Sequence, residues 1–176
     1  MKEELIRVLK AKLDDINNNI TSLVELNNKI DGEKDKLAYV KSILDGFKDG
    51  EDYDILKFVD LKKDDFNKVL GIVENDAEKI FSTDSCNYDG LVYLINGIKS
   101  GVSLTLTEEQ KSGIEYLIRG LSSKEEEYEA VIDGLLLVKT RFEIDDVNVL
   151  NEKKNEYSNV LNKIDTNDYL EETDKA

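Results

Sequence analysis

Residues 3–47 read EELIRVLKAKLDDINNNITSLVELNNKIDGEKDKLAYVKSILDGF, and this stretch decides the fold class. Leu9, Ile16, Leu23, Ile30, Leu37 and Leu44 recur every seven residues without a miss. Ile6, Leu13 and Ile20 supply the second seam position, the 4-3 alternation of a coiled-coil or bundle helix. That second row fails afterwards, where Asn27, Lys34 and Lys41 stand in the corresponding places, and Val40 and Phe47 restore an apolar face near the end. Asp31-Gly32 could end one helix and turn the chain back, since glycine is favoured just past a helix end. The register runs straight through it, however, and an interior glycine costs only about 1 kcal/mol relative to alanine. One helix over 3–47 is therefore favoured over a hairpin, ending in Asp45-Gly46-Phe47-Lys48-Asp49-Gly50.

A second heptad row, Ile114, Leu121, Tyr128, Leu135 and Phe142, follows Thr107-Glu108-Glu109-Gln110. That tetrad is a capping box, with threonine at the cap and glutamine reaching back from three residues on. Leu117, Val131 and Val138 form the companion row, interrupted by Lys124. Gly113, Gly120 and Gly134 share one heptad position, which suggests a close approach by another helix or a partner. The register breaks at Glu143-Ile144-Asp145-Asp146, read as a tight turn. A last helix over 147–165 uses Val147, Leu150, Tyr157, Leu161 and Ile164, and an acidic polar tail follows from 166.

Between the two heptad segments, 51–106 has a different character. Tyr53 to Leu61 is apolar-rich without a helical period and leaves room for a short strand. Asp60 is a candidate cap for a helix whose apolar positions are Phe66, Val69, Leu70, Val73, Ile80 and Phe81. Another helix, over 89–99, carries Leu91, Val92, Leu94, Ile95 and Ile98. Val102, Leu104 and Leu106 alternate with polar residues at strand period and could pair with 53–59. The expected fold is mainly α, with long heptad-patterned helices around a small helical or minor α+β middle lobe. Its parts are 1–50, a heptad helix or helical hairpin; 51–106, the middle lobe; 107–165, an antiparallel pair of helices; and 166–176, the tail.

Composition agrees with long helices, since the 176 residues contain no proline, the residue that breaks helix interiors. Lysine outnumbers arginine 21 to 3, the signature of AT-rich coding sequence, as in a low-GC bacterium or its phages. Met1-Lys2-Glu3-Glu4-Leu5 has no uninterrupted apolar stretch, no run approaches a membrane span, and Cys86 has no intrachain partner. A cytoplasmic protein without membrane contact is expected.

Catalytic chemistry finds little to work with. The chain has no histidine, which removes the commonest general base and transition-metal ligand. Asp84 and Asp89, close to Cys86 in sequence, would raise a thiol pKa, the reverse of what a nucleophile needs. Phosphate-binding loops are missing, and the best calcium frame, Ser85 to Asn96, lacks the acidic residues at its first and twelfth positions. No cofactor and no metal are expected, and the protein is read as a non-enzyme.

What remains is charge. The net charge is −15, and residues 1–50 carry only −1 of it. A field of that sign repels nucleic acid and attracts basic surfaces. Glu125, Glu126, Glu127 and Glu129 form one acidic cluster. Asp49, Glu51, Asp52 and Asp54 form a second, with Asp60, Asp64 and Asp65 just beyond, and Glu143, Asp145 and Asp146 crowd the last turn. Each is also simply a solvated helix face or end; together they could form an acidic ridge. The expected function is a binding protein for a basic, nucleic-acid-handling partner. It would act as an inhibitor or nucleic-acid mimic of the phage or mobile-element counter-defence kind, such as an anti-CRISPR. The alternative is a self-associating scaffold or virion protein with Leu9, Ile16, Leu23, Ile30 and the three glycines at the interface, hence a possible homo-oligomer.

Overall fold

The computed structural model describes residues 1–140 and 147–166, and the fold is mainly α. The heptad stretch is one helix, α1, Lys2–Phe47, with no turn at Gly32. A two-residue β-hairpin follows, β1 (Lys48–Asp49) antiparallel to β2 (Asp52–Tyr53), and then a 3₁₀ helix, Ile55–Asp60. Four further elements complete the part up to 140: α2 (Lys63–Val73), α3 (Ala77–Phe81), α4 (Tyr88–Lys99) and α5 (Glu108–Lys139). Helix α6 spans Val147–Thr166. The turn expected at 143–146, Phe142 of the second heptad row, and the tail beyond 166 lie outside the described residues.

The chain forms two compact units. One comprises residues 33–132. Its core gathers Val40, Leu44 and Phe47 of α1, Phe58 of the 3₁₀ helix, Phe66, Val69 and Val73 of α2, and Phe81 of α3. Leu91 and Ile95 of α4, Ile114, Leu117, Ile118 and Leu121 of α5, and Leu61, Ala77 and Leu106 complete it. Four rings make its centre: Phe58 lies 5.6 Å from Phe66, 6.2 Å from Phe81 and 5.6 Å from Tyr88. The other unit comprises 1–32 with the described residues from 133 onward. There Leu9, Leu23, Leu26 and Ile30 of α1 are buried, as are Leu150 and Ile164 of α6.

Several expectations for the middle stretch are corrected. Asp60 caps nothing, because it ends the 3₁₀ helix; α2 starts at Lys63 without a side-chain cap. The helix expected through Phe81 is two helices, broken where Glu74 (φ 57) and Asn75 (φ 54) turn the backbone left-handed. In the segment 53–61 only Tyr53 is strand, as the end of β2, and Ile55–Asp60 is 3₁₀; Val102–Leu106 pairs with no strand among the described residues, so the expected pairing with 53–59 does not form. In α5, Val131 and Val138 are exposed, while Ile118 and Ile132 hold buried positions. A strict seven-residue row drifts about 20° per heptad around a straight helix, which amounts to about 40° from Leu117 to Val131 and about 60° to Val138.

The capping box forms as expected. The Thr107 N–H donates to Gln110 Oε1 at 2.9 Å, and the Gln110 N–H donates to Thr107 Oγ1 at 3.1 Å. Asn87 caps α4 by accepting from the Gly90 N–H at 2.7 Å. Of the glycine stripe, two members meet neighbours. A Cβ at Gly120 would lie 2.5 Å from Val73 Cγ1, and one at Gly113 would lie 3.4 Å from Ile80 Cγ2 and 3.5 Å from Cys86 Sγ. Gly134 faces open space.

Candidate functional site

The end of α1 positions the first acidic group. Phe47 is buried, which anchors the helix end, and the Asp54 N–H donates to the Phe47 carbonyl at 2.7 Å to close the hairpin base. Gly50, at φ +70, is the first of two turn residues, the place where a two-residue hairpin takes glycine. Lys48 pairs in register with Tyr53, and Asp49 stands directly opposite Asp52. Glu51 occupies the tip between them. Asp49, Glu51 and Asp52 are all exposed, and among the described residues none of them makes an ion pair. The neighbouring cations are engaged lower down: Lys48 lies 3.7 Å from Asp45, and the Lys57 ammonium donates to the Lys48 carbonyl.

Other carboxylates from the sequence reading have structural duties. Asp54 accepts from the Leu56 N–H at 2.9 Å and so caps the 3₁₀ helix. Asp65 accepts from the Tyr39 hydroxyl at 2.9 Å, tying α2 to α1. Asp64 and Asp65 sit in the first turn of α2, where a helix N-terminus favours negative charge. In the α5 cluster, Glu127 lies 3.1 Å from Lys124 and Glu129 lies 3.5 Å from Lys41, which leaves Glu125 and Glu126 unpaired among the described residues. Glu143, Asp145 and Asp146 lie outside the described residues.

Burial first, and then the Asp65 hydrogen bond and charge, push the Tyr39 hydroxyl up from 10.0 to about 12. Its folded value lies above its unfolded one. The contribution is therefore complete below about pH 10 and is lost as pH rises toward 12. Tyr39→Phe is expected to cost about 1–2 kcal/mol at neutral pH. The difference from wild type should shrink between those pH values when unfolding is followed in urea.

Cys86 is fully buried and its Sγ donates to the Glu109 carbonyl at 3.7 Å. Its pKa is raised chiefly by burial and secondarily by Glu109, not by Asp84 and Asp89 as the sequence suggests. It is a packing residue. No group of three or more Asp, Glu or Cys side chains among the described residues is arranged to hold a metal ion, and no helix among them is long and apolar enough to cross a membrane.

The seam residues Leu9, Leu23 and Ile30 are buried within the chain itself, with Ile16 half-buried. Gly113 and Gly120 likewise face this chain's own Ile80, Cys86 and Val73. Exposed apolar side chains occur elsewhere: Leu136, Leu137 and Val138 on α5, and Tyr93 with Val102 and Leu104 beside the end of α4. Sequence reasoning missed them because an apolar run on a helix carries no mark of whether anything covers it. No protein-family model, curated protein or solved structure matches this chain.

Proposed function

We propose that this protein is a non-enzymatic acidic binding protein whose hairpin, Asp49-Gly50-Glu51-Asp52, engages a basic protein that handles nucleic acid. It would act as an inhibitor or nucleic-acid mimic of the counter-defence kind. The observation that carries this is the register: Asp49 directly opposite Asp52 with Glu51 at the tip, none of them paired among the described residues. Like charges facing each other across strands destabilise a hairpin by up to about 1 kcal/mol. Three carboxylates converging on one projection make folding harder and make capture of a cationic groove easier. The lack of histidine and the buried state of Cys86 support a binding role over a catalytic one.

The test compares wild type with the triple variant Asp49→Asn, Glu51→Gln, Asp52→Asn in a pull-down from host lysate, washed at low and high salt. The variant should unfold at higher urea, by about 0.5–1 kcal/mol. It should also lose a nucleic-acid-binding protein that the wild type retains at low salt and releases at high salt. Retention of the same partner by the variant would remove the hairpin from the interface.

A second reading, self-association in an assembly, is favoured by Leu137, which is 69% exposed between exposed Leu136 and Val138. Substituting the first seam cannot test it, since Leu23 is fully buried and its loss would unfold the chain. Leu137→Glu is the appropriate probe: an oligomer in light scattering that becomes monomeric in this variant would favour the assembly reading.

A further inference from the structure

Residues 73–81 and 113–120 run past each other in opposite directions, since Val73 meets Gly120 and Ile80 meets Gly113. The outer side of this crossing is a cleft of about 520 Å³. Gly113 and Ile80 line it. Seven polar side chains surround it: Asp76, Lys79 and Thr83 from the α3 side, and Glu109, Ser112, Tyr116 and Arg119 from one face of α5. The Thr83 hydroxyl donates to the Ile80 carbonyl at 2.9 Å, while the other six side chains make no hydrogen bond or ion pair among the described residues. The contrast with Arg7 is direct: it pairs with Glu4 at 3.4 Å, whereas Arg119, the other described arginine, has no partner.

The charges select a ligand class. Lys79 and Arg119 balance Asp76 and Glu109, so a lone anion meets two carboxylates and a lone cation meets two basic groups. A neutral molecule with separated charges meets neither penalty. Arginine binds carboxylates in a planar, two-pronged geometry, and a carboxylate such as Glu109 accepts from an ammonium. Between these groups lie the half-buried Ile80 and Tyr116, which suit an apolar portion. One end of the cleft adjoins the corner where Glu74 (φ 57, ψ −152) takes a backbone region that non-glycine residues avoid. Such strain concentrates at ligand clamps. We propose that this cleft binds a molecule carrying a carboxylate and an ammonium joined by an apolar part, an amino acid or a short peptide. The carboxylate faces Arg119 and Lys79, and the ammonium faces Glu109 or Asp76. The proposal stands independently of the hairpin.

The test is an amide-shift titration of the ¹⁵N-labelled full chain with leucine, Ala-Leu and Ala-Leu-Ala-Leu. Acetate, methylammonium and N-acetyl-leucine amide serve as controls. At least one zwitterion should move the amides of Lys79, Ser112 and Gly113 saturably, while the controls leave them in place. Strongest binding by leucine would identify a free amino acid, and strongest binding by the tetrapeptide a peptide segment. Arg119→Gln and Glu109→Gln should each weaken binding by about tenfold or more. Arg119→Gln should keep the wild-type melting temperature, because its side chain has no internal partner to lose, and Glu109→Gln should lower it only slightly, by the loss of one charge from the first turn of α5. The proposal is overturned if no zwitterion moves these amides, if the capped compound moves them equally, or if affinity survives Arg119→Gln in the folded variant.

Discussion

Phe58→Ala should lower stability by about 3–5 kcal/mol, read as the shift in urea midpoint at unchanged slope. Phe58 is fully buried on a six-residue 3₁₀ helix whose Ile55, Leu56 and Val59 pack around it against the same core. Its ring stacks on Phe81 with an interplanar angle of 5° and meets Phe66 edge-on at 80°. Removing it deletes three aromatic contacts at once, each worth about 0.5–1.5 kcal/mol beyond area burial. It also leaves a void bordered by α2, α3 and α4. A loss below about 1 kcal/mol would mean that these rings do not form the centre of the 33–132 unit.

The second large effect separates two glycines that the sequence presents as equivalents. Gly120→Ala should destabilise, because its Cβ would lie 2.5 Å from Val73 Cγ1, and Val73 is buried and stiff. Overpacking of this kind costs about 1–3 kcal/mol, against which better helix propensity returns about 1. Gly134→Ala meets nothing within 4 Å and should stabilise by about 1 kcal/mol. Thermal melts of the two variants should therefore move in opposite directions. Parallel shifts would show that helix propensity, and not contact with Val73, governs position 120.

These glycines also show what a sequence can and cannot reveal. Spacing placed Gly113, Gly120 and Gly134 on one stripe, but only the neighbouring elements decide which of them is crowded. The continuity of α1 through Gly32 was legible because the apolar register survives the glycine. Thr107–Gln110 was legible as a helix start because side-chain capping is local chemistry, whereas the Asn87 cap of α4 was not read. The break at Glu74–Asn75 was not legible, since neither residue type demands a left-handed backbone; packing of Val73 on Gly120 and of Ala77 and Phe81 into the core imposes it. Among the acids, charge counting found every cluster but could not distinguish Asp49 and Asp52, which face each other, from Asp54 and Asp65, which are committed to a cap and a tyrosine. The α3–α5 cleft was invisible because its seven polar residues come from two segments about thirty residues apart, and nothing local joins them.

Gln110 has a consequence for how the molecule breathes. Its Oε1 accepts from Thr107, while its Nε2 donates to the Ser85 carbonyl at 2.8 Å, one residue from the Asp84 carbonyl that Asn87 holds at 3.2 Å. The starts of α4 and α5 therefore share one hydrogen-bonded junction, although about twenty residues separate them in the chain. Neither helix can fray from its first turn without loosening the other. In hydrogen exchange, the amides of Gly90 and Gln110 should open as one cooperative event with a common free energy.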